Sequence, residues 1–306
     1  MDKNSADPLI TIIMATFNSS RTLKLAIKTV LAQDFSDFEI LVVGDACTDD
    51  SEEVVTSFDD IRLNWINLSE NSGSQGVPNN EGIKRARGKY IAYLGHDDLW
   101  FPWHLSTLIH FIQETDADLV HPLSAVFSTS GLEWTVGPPS FGRTYADHFV
   151  FPSCWLHRKN MVDDTGYWGD HLKLYKGVDF EFLRRIYLSG KKISFVPRLS
   201  LLKFPSWMWG TYGKDYNPGQ LEYSGKLHED PEVFEKKILS DAAVLLARSS
   251  KERISILKAI KQLYLLIIHR IRDIYGSDRW PLKQIMIWRF QRFRKKLKIK
   301  RGLSDT

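Results

Sequence analysis

The sequence predicts a doubly wound α/β fold, a mostly parallel sheet with helices on both faces. Three observations predict it. Short apolar runs, most of them rich in β-branched residues, recur at residues 9–14, 38–43, 63–66 and 90–94. Segments with helical apolar spacing lie between them, and polar or acidic clusters follow the first, second and fourth runs. Unbroken apolar runs mark strands buried on both faces, and their alternation with helices is the pattern of a covered parallel sheet.

Leu9-Ile10-Thr11-Ile12-Ile13-Met14 is the first strand. Asn18, Ser19 and Ser20 offer capping side chains, and Leu23, Ile27, Val30 and Leu31 then follow at helical spacing, which predicts a helix over 21–33. Phe38 to Val43 is the second strand, Ser51 to Phe58 the second helix and Leu63 to Ile66 the third strand. Pro78, suited to a first helical turn, opens a helix that ends at Gly88. Tyr90 to Leu94 is the fourth strand. Residues 203–230 show no clear period and read as a long loop.

Composition narrows the function. The formal charge is only +4, but it is unevenly placed: residues 251–306 carry 16 Lys and Arg against 4 Asp and Glu, leaving 25 against 33 in residues 1–250. A mildly acidic body with a basic tail is not the profile of a nucleic-acid-binding domain. Two cysteines, Cys47 and Cys154, make neither a disulfide framework nor a four-thiolate zinc site and suit a reducing compartment. Met1 to Pro8 lacks the features of a secretory signal, and the longest apolar run of the tail, Leu263 to Ile268, is too short to span a bilayer. The expected location is cytoplasmic.

In open α/β sheets ligands bind outside the carboxyl ends of the strands. Those ends carry Ala15-Thr16-Phe17-Asn18, then Gly44-Asp45-Ala46-Cys47-Thr48-Asp49-Asp50, then Gly95-His96-Asp97-Asp98. No GxGxxG follows the first strand and no Walker lysine motif occurs, which excludes a dinucleotide oxidoreductase and a P-loop nucleotidase. Adjacent carboxylates at Asp97 and Asp98 are hard oxygen donors suited to Mg²⁺ or Mn²⁺. The rival reading has Asp98 capping a helix near Pro102 and Asp97 solvated. Asp45 either accepts a hydrogen bond from a base or closes an Asx-turn, and Phe17 either stacks on a base or joins the core.

Taken in order, Ile12-Ile13-Met14-Ala15-Thr16-Phe17-Asn18, Val30-Leu31-Ala32-Gln33 with Phe38 to Asp45, Asn80-Glu81-Gly82-Ile83 with Ala86-Arg87-Gly88-Lys89-Tyr90-Ile91-Ala92, and Leu94-Gly95-His96-Asp97-Asp98 resemble the family 2 glycosyltransferases of GT-A fold over about residues 9–110, and more loosely to about 200. The resemblance implies a Rossmann-like nucleotide-binding sheet and inverting transfer of a sugar from a nucleoside diphosphate to an acceptor hydroxyl. The implied products are surface polysaccharide or glycolipid. It places Thr16, Phe17, Asn18, Asp45, Asn80 and Asp97 around the nucleotide, and Asp97 and Asp98 on a divalent cation, Mn²⁺ or Mg²⁺. It matches Asp179, in Gly177-Val178-Asp179-Phe180-Glu181, to the general base, with Glu181 as rival. The sequence departs from the family at Gly95, where an Asp leads the motif, at Val178, where Glu is common, at Cys47, where Ser is common, and at Asn79, where Arg is frequent. The departure at Gly95 sustains an alternative, an inactive sugar-nucleotide-binding or scaffold protein of the same fold. A nucleotidyltransferase is disfavoured because its glycine-rich N-terminal signature is absent.

The expected organisation is a glycosyltransferase domain over 1–230, with a donor half to about 120 and an acceptor half over 121–230, then a helical basic extension over 231–306. Trp155, Tyr167, Trp168, Trp207, Trp209 and Tyr212 are candidate sugar-facing aromatics whose rival role is in the core. Arg158 reaches either a phosphate or an ion-pair partner. Helices are expected over 232–249 and 251–275. Residues 285–301 interleave Ile, Trp and Phe with dense Lys and Arg, a composition suited to an anionic membrane at its inner face. The rival reading of the tail is packing on the body or a homo-oligomer contact.

Overall fold

The structure, a computed structural model, describes residues 7–174, 176–210 and 217–251. Its first half runs β1 (Ile10–Thr16), α1 (Ser20–Leu31), β2 (Phe38–Gly44), α2 (Ser51–Thr56), β3 (Leu63–Asn67), α3 (Gly76–Arg85), β4 (Tyr90–Tyr93), β5 (Leu99–Trp100) and α4 (His104–Thr115). The second half runs β6 (Leu119–Ser128), β7 (Gly131–Val136), β8 (Leu156–Arg158), α5 (Met161–Thr165), α6 (Val178–Leu188), β9 (Ile193–Lys203), α7 (Ser206–Trp209), α8 (Pro218–Glu229) and α9 (Pro231–Lys251).

The strands form one mixed sheet in the order β3-β2-β1-β4-β8-β6-β9-β5, with β7 added to β6. β3, β2, β1 and β4 are parallel, as expected, and β8 is antiparallel to both β4 and β6. The order reverses between β1 and β4, so a crevice opens where their connections diverge. Ile10, Ile12, Ile13 and Met14 of β1 are wholly buried, as a central strand covered on both faces requires. α3 lies so close to β1 that a Cβ on Gly82 would come within 2.6 Å of Ile13.

The core has two parts. One surrounds β1, β2 and β4, while the other joins Leu99, Phe101, Trp103, Leu202 and Phe204 to Phe234 and Ile238 of α9. The chain beyond residue 230 therefore continues the packed body through the first turns of α9. Residues 203–230 are not a loop throughout, because they hold α7 and α8. The start of α8 was legible in Asn217-Pro218: the Asn217 carboxamide oxygen accepts from the amides of Gly219 and Gln220, and Pro218 fills the first turn. The helix expected over 232–249 is α9; the one expected over 251–275 and the basic segment 285–301 lie outside the described residues.

Three buried histidines tie the sheet to its surroundings. His157 Nδ1 donates to the Arg158 carbonyl and its Nε2 accepts from the Tyr93 hydroxyl, which in turn accepts from Trp168 Nε1. His104 meets Ser200 and stacks on Trp100, and His121 meets Tyr145. Burial lowers the imidazoles to about 3 for His104 and about 4 for His121 and His157. Each stays neutral when folded under conditions where the unfolded chain takes up a proton. This stabilisation is complete above the ordinary imidazole value near 6.5 and is lost as pH falls toward 4. At about pH 5 the loss is roughly 2 kcal/mol per site. The urea midpoint should therefore drop steeply between about pH 7 and about pH 5, and His157→Gln should make that drop shallower.

Candidate active site

The carboxyl ends of β1, β2 and β4 meet as the strand order requires. The Asp45 amide donates to the Thr16 carbonyl at 2.8 Å, which joins the first two ends. Thr16 is buried and its hydroxyl has no hydrogen-bond partner. Phe17 is half-buried. Asn18 adopts a left-handed backbone (φ 45°), and its side chain bridges to Thr48, accepting from the Thr48 amide at 2.8 Å. Such a conformation suits asparagine better than most residues. The local caps expected for α1 do not form: Ser19 Oγ donates back to Phe17, and Asp49 accepts from the amides of both Ser20 and Ser51. One carboxylate thus serves the N-termini of α1 and α2, where the helix dipoles favour negative charge.

Asp45 is buried and organises the loop after β3. Its carboxylate accepts from the Ser72 amide at 2.9 Å, the Ser72 hydroxyl at 3.0 Å and the Gly73 amide at 3.2 Å. Asn80 links the two halves of the chain: its amide donates to the Trp168 carbonyl at 3.0 Å and accepts from the Trp168 amide at 2.9 Å. A side chain that the sequence places beside the nucleotide is here spent on the wall that carries Trp168.

The acidic pair divides. Asp98 has no solvent exposure. It accepts from Ser153 Oγ at 2.5 Å, from Lys203 Nζ at 2.8 Å and from the Phe204 amide at 3.3 Å. Burial pushes its carboxyl up to about 6 against the attraction of Lys203. Asp97 remains partly exposed, with Ser206 Oγ at 2.9 Å and Lys203 Nζ at 3.6 Å. Burial acts to raise it too, but the adjacent ammonium prevails and holds Asp97 below the usual carboxylate range. Burial works against the charge of Lys203, and the two carboxylates more than offset that, holding it above its ordinary value.

This arrangement explains Gly95. A Cβ there would lie 3.1 Å from an oxygen of Asp97 and 3.1 Å from one of Asp98, so a third carboxylate would crowd two others. A divalent ion fits the remaining donors in one way. Asp97 is a hard oxygen donor with an exposed edge, whereas both Asp98 oxygens are engaged. Among the described residues no group of three or more His, Cys, Asp or Glu side chains gathers to hold an ion. Among the described residues the turn offers one open carboxylate, a donor set that would leave most of an ion's coordination to substrate phosphates.

In the second half, Asp179 lies in the first turn of α6, partly buried, with Oδ1 accepting from the Phe180 amide at 2.8 Å. Its rival Glu181 is committed to Arg185, with contacts of 2.7 and 3.0 Å. Arg185 also donates to the carbonyls of Thr165, Gly166 and Tyr167, fixing the approach to Trp168. Arg158 forms an ion pair with Asp116 at 2.5 Å and bonds the Ala117 carbonyl. Trp155 and Trp168 belong to the core, and Trp209 donates to the Phe127 carbonyl. Trp207, 63% exposed, and Tyr167, 42% exposed, are open to solvent; Tyr212 lies outside the described residues.

Residues 11–166, just over half of the chain, match the family described as Glycosyl transferase family 2. The chain belongs to this family. Over 137 residues it is 35% identical to the GalNAc(5)-diNAcBac-PP-undecaprenol beta-1,3-glucosyltransferase of Campylobacter jejuni, covering 41% of this chain and 44% of that protein. Over 105 residues it is 32% identical to the UDP-Glc:alpha-D-GlcNAc-diphosphoundecaprenol beta-1,3-glucosyltransferase WfaP of Escherichia coli, covering 34% of this chain and 41% of that protein. The matched part thus spans under half the length of either relative. The fold is similar to that of S. aureus TarS solved with UDP-GlcNAc, at a TM-score of 0.57 and 22% identity, covering 64% of this chain and 58% of that one. The expected GT-A architecture is therefore the one observed.

Sequence reading missed Lys203, Ser153, Ser206 and Gln220, all of which surround the Gly95–Asp98 turn. Replacing Lys203 by Met would leave the Asp98 charge buried without its partner, a change that typically costs about 3–5 kcal/mol. We expect Lys203→Met to lower the denaturant midpoint sharply, and Lys203→Arg to recover much of the loss; equilibrium urea unfolding measures both.

Proposed function

We propose that this glycosyltransferase moves a sugar, with inversion, from a uridine diphosphate sugar to a hydroxyl of a lipid-linked saccharide during assembly of a surface polysaccharide or glycolipid. The observation that carries the reading is the meeting of three polar strand ends at the crevice of a family 2 sheet, with a helix-borne carboxylate in the second half. The diphosphoundecaprenol-linked acceptors of the two relatives support the acceptor class, and the donor named for WfaP supports uridine.

In this reading Asp45 and its Ser72–Gly73 loop form the base wall, with Thr16, Phe17 and Asn18 beside it. Asp97 faces the diphosphate, and Mn²⁺ or Mg²⁺ held there would neutralise charge on the departing nucleotide. Asp179 takes the proton of the acceptor hydroxyl. The acceptor oxygen forms its bond to the anomeric carbon as the bond from that carbon to the diphosphate oxygen breaks, and the nucleoside diphosphate leaves with the bonding pair. Glu181, paired with Arg185, is poorly placed to accept that proton.

Asp179→Asn should reduce kcat by at least about 100-fold, the scale of a lost general base, with UDP affinity nearly unchanged. Chelation of divalent cations should suppress transfer, and Mn²⁺ should restore it. Calorimetry with UDP, release of UDP from UDP-glucose and the anomeric configuration of the product, read by NMR, test the reading together; retention of configuration, or full activity of Asp179→Asn, rejects it.

The basic segment 285–301 is the part of the sequence suited to holding the enzyme at the inner face of a membrane that carries a lipid-linked acceptor. No described helix is long and apolar enough to cross a membrane. The full chain should sediment with anionic vesicles more strongly than a chain ending at residue 275, and raised salt should release it. Equal binding by both removes the tail from this role.

A further inference from the structure

Gln220, the third residue of α8, has no solvent exposure. Its Nε2 donates to the His96 carbonyl at 2.9 Å and the Thr22 carbonyl at 3.2 Å, and lies 3.5 Å from the Asp98 carbonyl. Three backbone carbonyls, two from the acidic turn and one from α1, converge on a single NH₂ group. Reversing the carboxamide would set its oxygen against three carbonyl oxygens, so electrostatics fixes the orientation. Oε1 is left buried with no hydrogen-bond partner. An apolar side chain of similar size would avoid that orphaned acceptor, so what the amide contributes lies at its donor end. The backbone of Gln220 is itself fixed, because its amide donates to the Asn217 side chain at 3.2 Å.

The two turn carbonyls held by Gln220 flank Asp97. On the other side of that residue, Ser206 and Lys203 engage its carboxylate. We propose that Gln220 is a positioning residue for sugar transfer: by fixing the carbonyls of His96 and Asp98 it sets the backbone from which Asp97 is presented to the diphosphate and its cation. Gln220 touches no reacting group and acts through the turn. The inference rests on the assignment of Asp97 to the diphosphate end of the crevice.

The test uses the full chain as wild type, Gln220→Leu and Gln220→Glu, with Leu221→Ala as an exposed neighbour on the same helix. UDP affinity is measured by calorimetry once with Mn²⁺ and once with chelator, beside the thermal midpoint of each protein. In wild type, Mn²⁺ should strengthen UDP binding. In Gln220→Leu that strengthening should shrink by about tenfold, equivalent to about 1.4 kcal/mol, while affinity in chelator stays within about twofold, because the base wall on Asp45 is untouched. Gln220→Glu, which sets a carboxylate against the carbonyls, should lose more, and Leu221→Ala should match wild type. A Gln220→Leu protein whose Mn²⁺ effect equals that of wild type, or whose affinity falls equally in both arms, overturns the proposal. If Gln220→Leu fails to fold, Gln220→Asn, which keeps the NH₂ on a shorter arm, gives the same comparison. If wild type itself binds UDP without any Mn²⁺ effect, the assignment of Asp97 fails first and takes this proposal with it. Wild type that gains from Mn²⁺ beside a variant that gains equally rejects the role of Gln220 alone.

Discussion

The site depends on one buried charge pair. Asp98 has no contact with water and would be costly there alone, since an unpaired carboxylate in a dry interior loses its hydration without return. Lys203 supplies the opposite charge from the end of β9, and Ser153 and the Phe204 amide satisfy what remains. This cage fixes the turn after β4 against a strand more than a hundred residues further along the chain. The first and second halves of the chain are thereby held together at the crevice. Coulomb attraction in a low-dielectric setting makes the arrangement rigid, and the same setting makes it intolerant of losing either partner.

The pair also gives the departure at Gly95 a physical meaning. Asp97, Asp98 and Ser153 already crowd the space beside residue 95. An acidic side chain there would meet two carboxylates of its own sign. The turn therefore keeps one carboxylate at the crevice and one in the interior, joined by an ammonium that both share. The absence of a leading acid is compatible with that geometry.

Much of the fold was legible because its signals are local. β1 and β2 are apolar runs buried on both faces, and α1 carries its apolar residues at a single helical spacing. Asp45, Asp97 and Asp179 were singled out as candidates because they sit at element ends, where side chains that act on ligands collect. Lys203 gave no such signal: it ends a strand, and its partners are 105 and 106 positions away. Gln220 was hidden for a related reason, since α8 has a weak apolar period and only the Asn217–Pro218 pair announces its start. The capping of α1 was misjudged on similar grounds. Ser19 was the local choice, but Asp49, thirty residues on, reaches the Ser20 amide at the start of α1 with a full charge. Among the aromatic residues, Trp155 and Trp168 take the core role weighed for them: they stack on one another, with Tyr93 edge-on to Trp155 and Phe182 tilted against Trp168 inside the body.

The strand that follows the acidic turn has a further consequence. Leu99 and Phe101 pack in the core that includes α9, whereas Trp100 between them packs in the core built on β1 and β2. Alternation along an extended chain sends neighbouring side chains to opposite faces, so the two hydrophobic cores share a backbone at this place. Neither core can come apart without pulling on the residues next to Asp98. Catalytic competence should therefore appear late in folding and vanish early in unfolding, as a property of the completed assembly of both cores. A chain that has lost α9 would retain the core around β1 and β2 yet lack the packing of Phe234 and Ile238 that holds Leu99 and Phe101 beside the acidic turn.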